Sequence, residues 1–256
     1  MDEIIGQRRK RLVRAGFASM VEDIREYLDQ WEENNKETAQ EFLLALGQQL
    51  DDLFQIRTAH SESIPVDGML KKIVDDLPLE TVGRKLDICV SADPDIHLFI
   101  NRMQLETICL GLIRNAVENT PDSGYIEIHV IEKADHTLIS VSDTGTGITS
   151  ASQKHIFKGF FHTQDSGAYA SKIPFAFNAG GAGLDLLRIK TLADRHGFLL
   201  EMESDRCPHI PMDHDQCCGD RSVCSAVNHA EDCERSGGST FSLLFPHVLF
   251  QAGENV

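Results

Sequence analysis

The chain has 256 residues, enough for one full domain and a smaller attachment. Its 40 acidic and 24 basic residues give a net charge of −16, which argues against a nucleic acid as a partner. No apolar run approaches the roughly 18 residues of a membrane-spanning helix, and the first residues lack the pattern of a signal peptide. We therefore expect a cytoplasmic protein whose seven cysteines do not form structural disulfides.

The first 60 residues predict an antiparallel helical hairpin. Apolar residues recur at helical spacing from about residue 8 to 33 and from about 38 to 57, with Asn34 and Asn35 between the two segments. Such a pair cannot bury both apolar stripes alone, whereas two copies could bury them in a four-helix bundle. The sequence thus predicts a dimerisation hairpin over residues 1–60 and a second domain over 61–256.

Residues 61–256 predict an α+β domain. Strand patterns fall at 64–67, 86–90, 125–132, 137–142, 198–204 and 239–245, and helical spacing at 68–77 and 105–119. Cys89 and Cys109 lie in apolar periodic segments and are expected to be small core residues. This order of elements suits a mixed sheet covered by helices on one face.

Three further motifs follow the 105–119 helix. Asp143 ends a strand that runs into a turn with Gly145 and Gly147, and an apolar patch begins near Phe157. A glycine turn then opens another helix near Leu184, where free backbone N–H groups and a positive dipole end could receive a phosphate. Each motif alone is weak evidence, but their order together makes chance an unsatisfactory explanation.

In this order the motifs resemble the ATP-binding domain of sensor histidine kinases, within the wider family of ATPases that share the Bergerat-type fold. The resemblance implies a Bergerat-type α/β sandwich. It covers four motifs. The N box contains Asn115 and Asn119, and the first glycine box contains Asp143, Gly145 and Gly147. The F box contains Phe157 and Phe160, and the second glycine box contains Gly181, Gly183 and Leu184.

The resemblance also implies a role for each box. Asn115 would ligate Mg²⁺, an ion that keeps most of its waters and takes few protein ligands. Asp143 would accept a hydrogen bond from the adenine amino group, a charge-assisted bond worth roughly 1.5–3 kcal/mol. The glycines would let the backbone approach the base and the triphosphate. Residues 158–180 would form a mobile lid, in which Lys172 either reaches the phosphates or is an ordinary solvated lysine.

Two residues depart from the family pattern near these boxes. Gly111 stands where kinases often have Asn and where the hydrolytic relatives have a water-activating Glu, so efficient ATP hydrolysis is disfavoured. Asp185 replaces the third glycine of the second glycine box. Its carboxylate suits the first turn of a helix but would repel a phosphate if it pointed inward, so we expect it to face solvent.

The hairpin departs from the family more seriously. If residues 17–28 are aligned with the phosphoacceptor motif, Glu22 takes the place of the His and Tyr27 that of the Pro. A carboxylate cannot give the stable phosphoimidazole of these kinases. The alternative is that this segment is an ordinary amphipathic helix. The nearest histidine is His60, for which an exposed loop position is the simpler interpretation.

A cysteine-rich insertion, residues 206–236, replaces the short turn that the family has between the last two strands. It contains five cysteines and three histidines, whose side chains suit a tetrahedral Zn²⁺ that would itself fold the loop. The spacing fits no standard zinc finger, so an iron–sulfur cluster and unligated reduced thiols stay open. The expected ligands are Cys207, Cys217, Cys224 and Cys233, since adjacent Cys217 and Cys218 can rarely both bind one ion.

Together these features predict an ATP- and Mg²⁺-binding protein of the histidine-kinase class. It would form a homodimer through the hairpin and transfer a phosphoryl group from ATP to a His or to a partner, with a response regulator or partner kinase downstream. The alternative is a catalytically degenerate nucleotide-binding regulator or scaffold that senses metal or redox state through the insertion. An independent ATPase is disfavoured by Gly111.

Overall fold

A computed structural model of the protein describes residues 61–157, 173–179, 185–227, 229, 232–233 and 236–250. The predicted hairpin, with Glu22 and His60, lies outside the described residues. Four site residues predicted from the family resemblance also lie outside them, together with the second aromatic residue of the F box: Lys172, Gly181, Gly183, Leu184 and Phe160.

The described strands form two sheets. Their bounds are β1 Glu62–Pro65, β2 Leu86–Ala92, β3 His97–Ile100, β4 Gly124–Glu132, β5 His136–Asp143, β6 Leu199–Asp205 and β7 Gly238–Pro246. Strands β1 and β3 pair antiparallel with each other, and the other five run in the order β2-β4-β5-β7-β6. Since β2 and β4 are parallel and the other neighbours antiparallel, the main sheet is mixed, as predicted.

Helices cover the apolar face of this sheet. Their bounds are α1 Val66–Asp75, α2 Arg102–Asn119, α3 Ser150–Gln153, α4 Asp185–His196 and α5 His247–Phe250. Helix α2 packs on β5, with α1 and α4 on either side of it. Ile108 and Leu112 of α2 are fully buried in one core with Ile126 and Ile128 of β4, so this helix is fixed by apolar contact along its length. None of the described helices is long and apolar enough to cross a membrane.

The cysteine prediction for the core is half right. Cys109 of α2 is buried, and burial raises the pKa of its thiol to about 12. Cys89, in contrast, is exposed. Side chains alternate along a strand, and in β2 it is Ile88 and Val90 that pack against the core, which puts Cys89 on the opposite face.

The insertion joins two strands that are direct neighbours. Strands β6 and β7 pair antiparallel, and Asp205 at the end of β6 is the register partner of Gly238 at the start of β7. The insertion therefore leaves the sheet and returns to it at the same end. Strand β5 also finishes at this end, with Asp143 as the register partner of Ser239 in β7.

Candidate functional site

The N box and the first glycine box are joined by a backbone hydrogen bond. The carbonyl oxygen of Asn119, the last residue of α2, accepts a hydrogen bond of 3.0 Å from the amide of Thr146. The side-chain amide of Asn119 donates to the carbonyl oxygen of Asn115, one turn earlier, at 2.8 Å. Residues four apart lie on one face of a helix, so Asn115 and Asn119 both lie on the side of α2 that meets the glycine turn.

Asp143 is buried at the end of β5, directly below this turn. Its Oδ1 accepts hydrogen bonds from the amides of Gly145, at 2.9 Å, and Ser239, at 3.3 Å. Burial raises the pKa of the Asp143 carboxyl to about 7, and the two amides offset only part of this effect. The fold therefore holds a carboxyl group whose charge changes near neutral pH at a fixed position.

The two glycines of this turn are required by close approach of other backbone atoms. A Cβ at Gly145 would lie 2.4 Å from the carbonyl oxygen of Asn119. Gly147 has a φ of +64°, and its Cβ would lie 1.8 Å from the carbonyl oxygen of Asp205. Only glycine fits such positions, so the turn is held between the end of α2 and the end of β6.

Phe157 of the F box packs into the core. Its ring meets that of Phe241 edge to face, with the centroids 6.5 Å apart. Among the described residues, Phe157 therefore packs against the same core to which Phe241 of β7 belongs.

An open cleft lies beside the joined boxes. Its lining includes Asn119 of the N box, Thr146 of the first glycine box and the predicted metal ligand Cys217. The other lining residues are Glu118, Phe177, Asn178, Arg206, Ile210 and Asp215. Asn115 and Asp143 are not part of this lining among the described residues.

One side of the cleft is formed by residues 173–179, which are anchored to α2 through Glu118. The Glu118 carboxylate accepts a hydrogen bond from the amide of Phe175 at 3.1 Å, and its carbonyl oxygen accepts one from the amide of Asn178 at 2.7 Å. Burial raises the pKa of Glu118, while the Phe175 amide and Arg114 lower it. Sequence reasoning named the two asparagines on either side of Glu118 and missed Glu118 itself.

A buried arginine, Arg84, holds the same segment from the other side. Its guanidinium donates to the carbonyl oxygens of Val117, at 2.8 Å, and Phe175, at 3.0 Å, and pairs with Asp122 at 2.8 Å. It also lies 5.7 Å from the ring centroid of Phe177. Arg84 thus joins the end of α2 to residues 173–179, and no pattern in the sequence pointed to it.

The two departures from the family pattern lie side by side where α2 meets α4. A Cβ at Gly111 would lie 3.3 Å from Cδ1 of Ile189 and 3.9 Å from Cβ of Asp185. Asp185 is partly exposed, as expected, but its carboxylate pairs with Arg114 of α2. The glycine therefore allows close helix packing, and the ion pair fixes the start of α4.

The cysteines of the insertion lie near one another. Burial raises the pKa of the Cys217 thiol to about 11. Burial also raises that of Cys233, and the neighbouring thiols Cys224, Cys207 and Cys218 add to the effect. Within the described residues, however, no group of three or more His, Cys, Asp or Glu side chains is placed to hold a metal ion. The structure does not support the zinc or cluster site, which stays a prediction.

The family of the chain follows from comparison with known proteins. Residues 100–249 match the family described as the histidine kinase-, DNA gyrase B- and HSP90-like ATPases, and the chain belongs to this family. Within the family it is similar to sensor histidine kinases, which confirms the resemblance stated from the motifs. The domain is an ATP-binding domain of the sensor histidine kinase type.

Individual relatives cover different shares of the chain. The phosphate regulon sensor protein PhoR of Pseudomonas aeruginosa is 30% identical over 144 residues, which are 56% of this chain and 31% of PhoR. The circadian input-output histidine kinase CikA of Synechococcus elongatus is 27% identical over 201 residues, which are 75% of this chain and 25% of CikA. The chain therefore spans about a third or less of the length of these two relatives.

Solved structures share the fold. The mycobacterial sensor histidine kinase MprB superposes with a TM-score of 0.50 at 15% identity, over 73% of this chain and 97% of that one. Full-length ShkA in complex with AMPPNP gives 0.51 at 16% identity, over 93% of this chain and 45% of that one. These likenesses agree with the mixed sheet and helical layer described above.

Proposed function

We propose that residues 61–256 bind Mg·ATP as the catalytic domain of a two-component histidine kinase and that residues 1–60 are its dimerisation hairpin. The observation that carries this proposal is Asp143, a buried carboxyl at the end of β5 under a glycine turn that is bonded to the N-box helix. A buried acceptor of fixed position is what recognition of the adenine amino group needs.

Each predicted residue has a distinct role in this proposal. The side-chain oxygen of Asn115 holds Mg²⁺, whose other ligands are water and phosphate oxygens, and this hard oxygen donor suits the ion. Both backbone amides bond to Oδ1 of Asp143, so Oδ2 is the oxygen that accepts from adenine. Lys172 and the second glycine box, with Gly181, Gly183 and Leu184, bind the phosphates. The chain thereby supplies position and charge compensation for phosphoryl transfer.

The phosphoryl acceptor is a histidine, for which residues 1–60 offer only His60, or a partner protein, and a response regulator receives the group afterwards. Two of the relatives support this role by their names, since PhoR is named a sensor protein and CikA a histidine kinase. Homodimerisation through residues 1–60 would bring a hairpin of one protomer near the ATP site of either protomer.

The second candidate function is a nucleotide-binding regulator that does not phosphorylate itself. Glu22 at the acceptor position favours it. Incubation with γ-labelled ATP separates the two functions. An acid-labile, alkali-stable label on the wild type supports the kinase, whereas a label that appears only in the Glu22→His variant supports the degenerate regulator.

An independent ATPase is the least favoured function, because Gly111 offers no base and Ile189 lies against it. Steady phosphate release that Asn115→Ala abolishes would contradict this ranking. The nucleotide site itself is tested by calorimetry with Mg·ATP, where absence of binding to the full chain would refute the proposal. A metal in the insertion is tested by elemental analysis of protein purified without oxygen, and absence of zinc and iron would refute it.

A further inference from the structure

The insertion and the first glycine box are bonded to each other along most of the turn. The carbonyl oxygen of Thr146 accepts a hydrogen bond from the amide of Cys207 at 3.0 Å, while the amide of Thr146 donates to Asn119 on the opposite side. The peptide units around Thr146 are thus held between the N-box helix and the insertion. Thr146 also lines the cleft, so the insertion is hydrogen-bonded directly to a residue of the cleft lining.

Arg206 is the centre of this attachment. Its Nη1 donates to the carbonyl oxygen of Gly147 at 3.0 Å, its Nε to that of Ile210 at 2.7 Å, and its Nη2 to that of Met212 at 2.9 Å. One planar guanidinium therefore joins the glycine turn to two points of the insertion, and a point charge such as a lysine ammonium could not reproduce this arrangement.

Two more residues of the insertion form hydrogen bonds, one with the start of the turn and one with the residues that follow it. Arg221, which is 2% exposed, donates through Nη2 to the carbonyl oxygen of Thr144 at 2.8 Å. The carboxylate of Asp213 accepts hydrogen bonds of 2.9 Å from the hydroxyl groups of Thr149 and Ser152. The insertion is therefore bonded to the glycine turn at Thr144 and Gly147 and to the start of helix α3, which follows the turn.

The insertion also supplies part of the cleft surface. Arg206, Ile210, Asp215 and Cys217 line it opposite Asn119 of the N box. Arg206 thus both bonds to the glycine turn and lines the cleft beside it.

We propose that the cysteine-rich insertion supports the nucleotide site from outside and that Arg206 is a positioning residue that sets nucleotide affinity by holding the first glycine box. This inference rests on the proposed binding of nucleotide at that site. Because binding free energies are coupled reciprocally, a ligand in the pocket protects the insertion, and any change that rearranges the insertion weakens the ligand.

The test measures Mg·ATP, Mg·ADP and adenosine binding to the full chain by calorimetry in four proteins: the wild type, Arg206→Ala, Arg206→Lys and Arg102→Ala. Arg102 is the matched control, since it forms an exposed ion pair with Glu62 at 2.7 Å. We expect Arg206→Ala to weaken all three ligands by the same factor, roughly tenfold, which corresponds to one charge-assisted bond. Arg206→Lys should recover little, and Arg102→Ala should stay within twofold of the wild type.

Three results would overturn the inference. Unchanged affinity in Arg206→Ala would show that the attachment does not matter for binding. A loss confined to ATP and ADP, restored by Arg206→Lys, would mean that Arg206 contacts phosphate and does not act by positioning. Absence of nucleotide binding in the wild type would refute the proposed function, a failure distinct from the first two.

Hydrogen exchange provides a readout that does not depend on affinity. The amides of Thr146 and Ile148 should exchange faster in Arg206→Ala than in the wild type without ligand, and amides of residues 206–236 should exchange more slowly when Mg·ATP is added. If Arg206→Ala fails to fold, Asp213→Ala replaces it, because Asp213 bonds to Thr149 and Ser152, which follow the turn, and does not line the cleft. If the folded variant and the wild type show the same exchange rates for the amides of Thr146 and Ile148, the insertion does not hold the turn and the inference is wrong.

Discussion

The Asp143→Asn variant separates recognition of adenine from support of the fold. Asparagine keeps an oxygen that can accept the two amide hydrogen bonds of Gly145 and Ser239. It replaces Oδ2, which the proposed function pairs with the adenine amino group, by an amino group that cannot accept a hydrogen bond, so the charge-assisted bond, worth roughly 1.5–3 kcal/mol, is lost. At pH 8 we therefore expect Mg·ATP affinity to fall about 10- to 150-fold.

The same variant should be at least as stable as the wild type at pH 8. The rise of the Asp143 pKa from 3.8 to about 7 means that the ionised carboxyl costs the folded state about 4 kcal/mol. The folded state binds the proton more tightly than the unfolded state, so stability falls as the pH rises from about 4 to about 7. Asparagine lacks this dependence, and its new amino group, which needs a partner, offsets part of the gain.

The pH dependence of binding has the opposite sign. Only the ionised carboxyl forms the charge-assisted bond, so wild-type affinity should be about tenfold lower at pH 6 than at pH 8, for a pKa of about 7. In Asp143→Asn this difference should disappear. Asp67→Asn is the control, since that carboxylate is 42% exposed and pairs with Lys71.

The assays are calorimetry at pH 6 and pH 8 and urea unfolding at the same two values. Weaker binding with equal or greater stability is the expected result. Unchanged affinity at pH 8 would refute the role of Asp143 in recognising adenine. A parallel loss of affinity and stability would show that the carboxylate supports the turn, contrary to the reasoning above.

Two further predictions concern the residues that hold the site together, and urea unfolding measures both. Gly147→Ala should lower the free energy of unfolding by at least about 3 kcal/mol, because its Cβ would overlap the carbonyl oxygen of Asp205. Gly68→Ala, in a helix and with no atom within 4 Å of its Cβ, should raise it by about 0.5–1 kcal/mol, and a similar loss in both variants would contradict the close approach. Arg84→Ala should cost about 3–5 kcal/mol, since it breaks a buried pair and leaves carbonyl groups without a donor. The exposed Arg102→Ala should cost less than about 1 kcal/mol, and an equal effect of the two arginines would show that Arg84 is not a structural centre.

The helices and strands were predictable where burial imposes a period on the sequence. The predicted helix at 105–119 is observed as Arg102–Asn119, and it begins earlier because the Asn101 side chain accepts a hydrogen bond from the amide of Gln104. The strand His97–Ile100 was missed because four residues carry too little periodicity to identify a strand. Cys89 was wrongly assigned to the core although the alternation of β2 puts it on the same face as Asp87, opposite to Ile88 and Val90.

The site was predictable only in part, for a physical reason. Asp143 and Gly145 leave a mark in the sequence because a turn restricts which residue types it accepts. Arg84 and Arg206 bond instead to backbone carbonyl oxygens of distant segments, such as Phe175, 91 positions from Arg84, and Gly147, 59 positions from Arg206. Every residue type has a carbonyl oxygen, so no pattern in the sequence identifies the acceptor or its partner.

These arginines explain how irregular backbone can form a defined pocket. Turns and loops around the cleft lack the hydrogen-bond ladders of helices and sheets, and their buried carbonyl groups still need donors. Arg84 supplies them to the end of α2 and to residues 173–179, Arg206 to the glycine turn and the insertion, and Arg221 to the start of that turn. Each guanidinium bonds to several carbonyls at once because its donors lie in a rigid plane. The cleft is therefore bordered by segments without regular structure that are nevertheless fixed relative to the N-box helix.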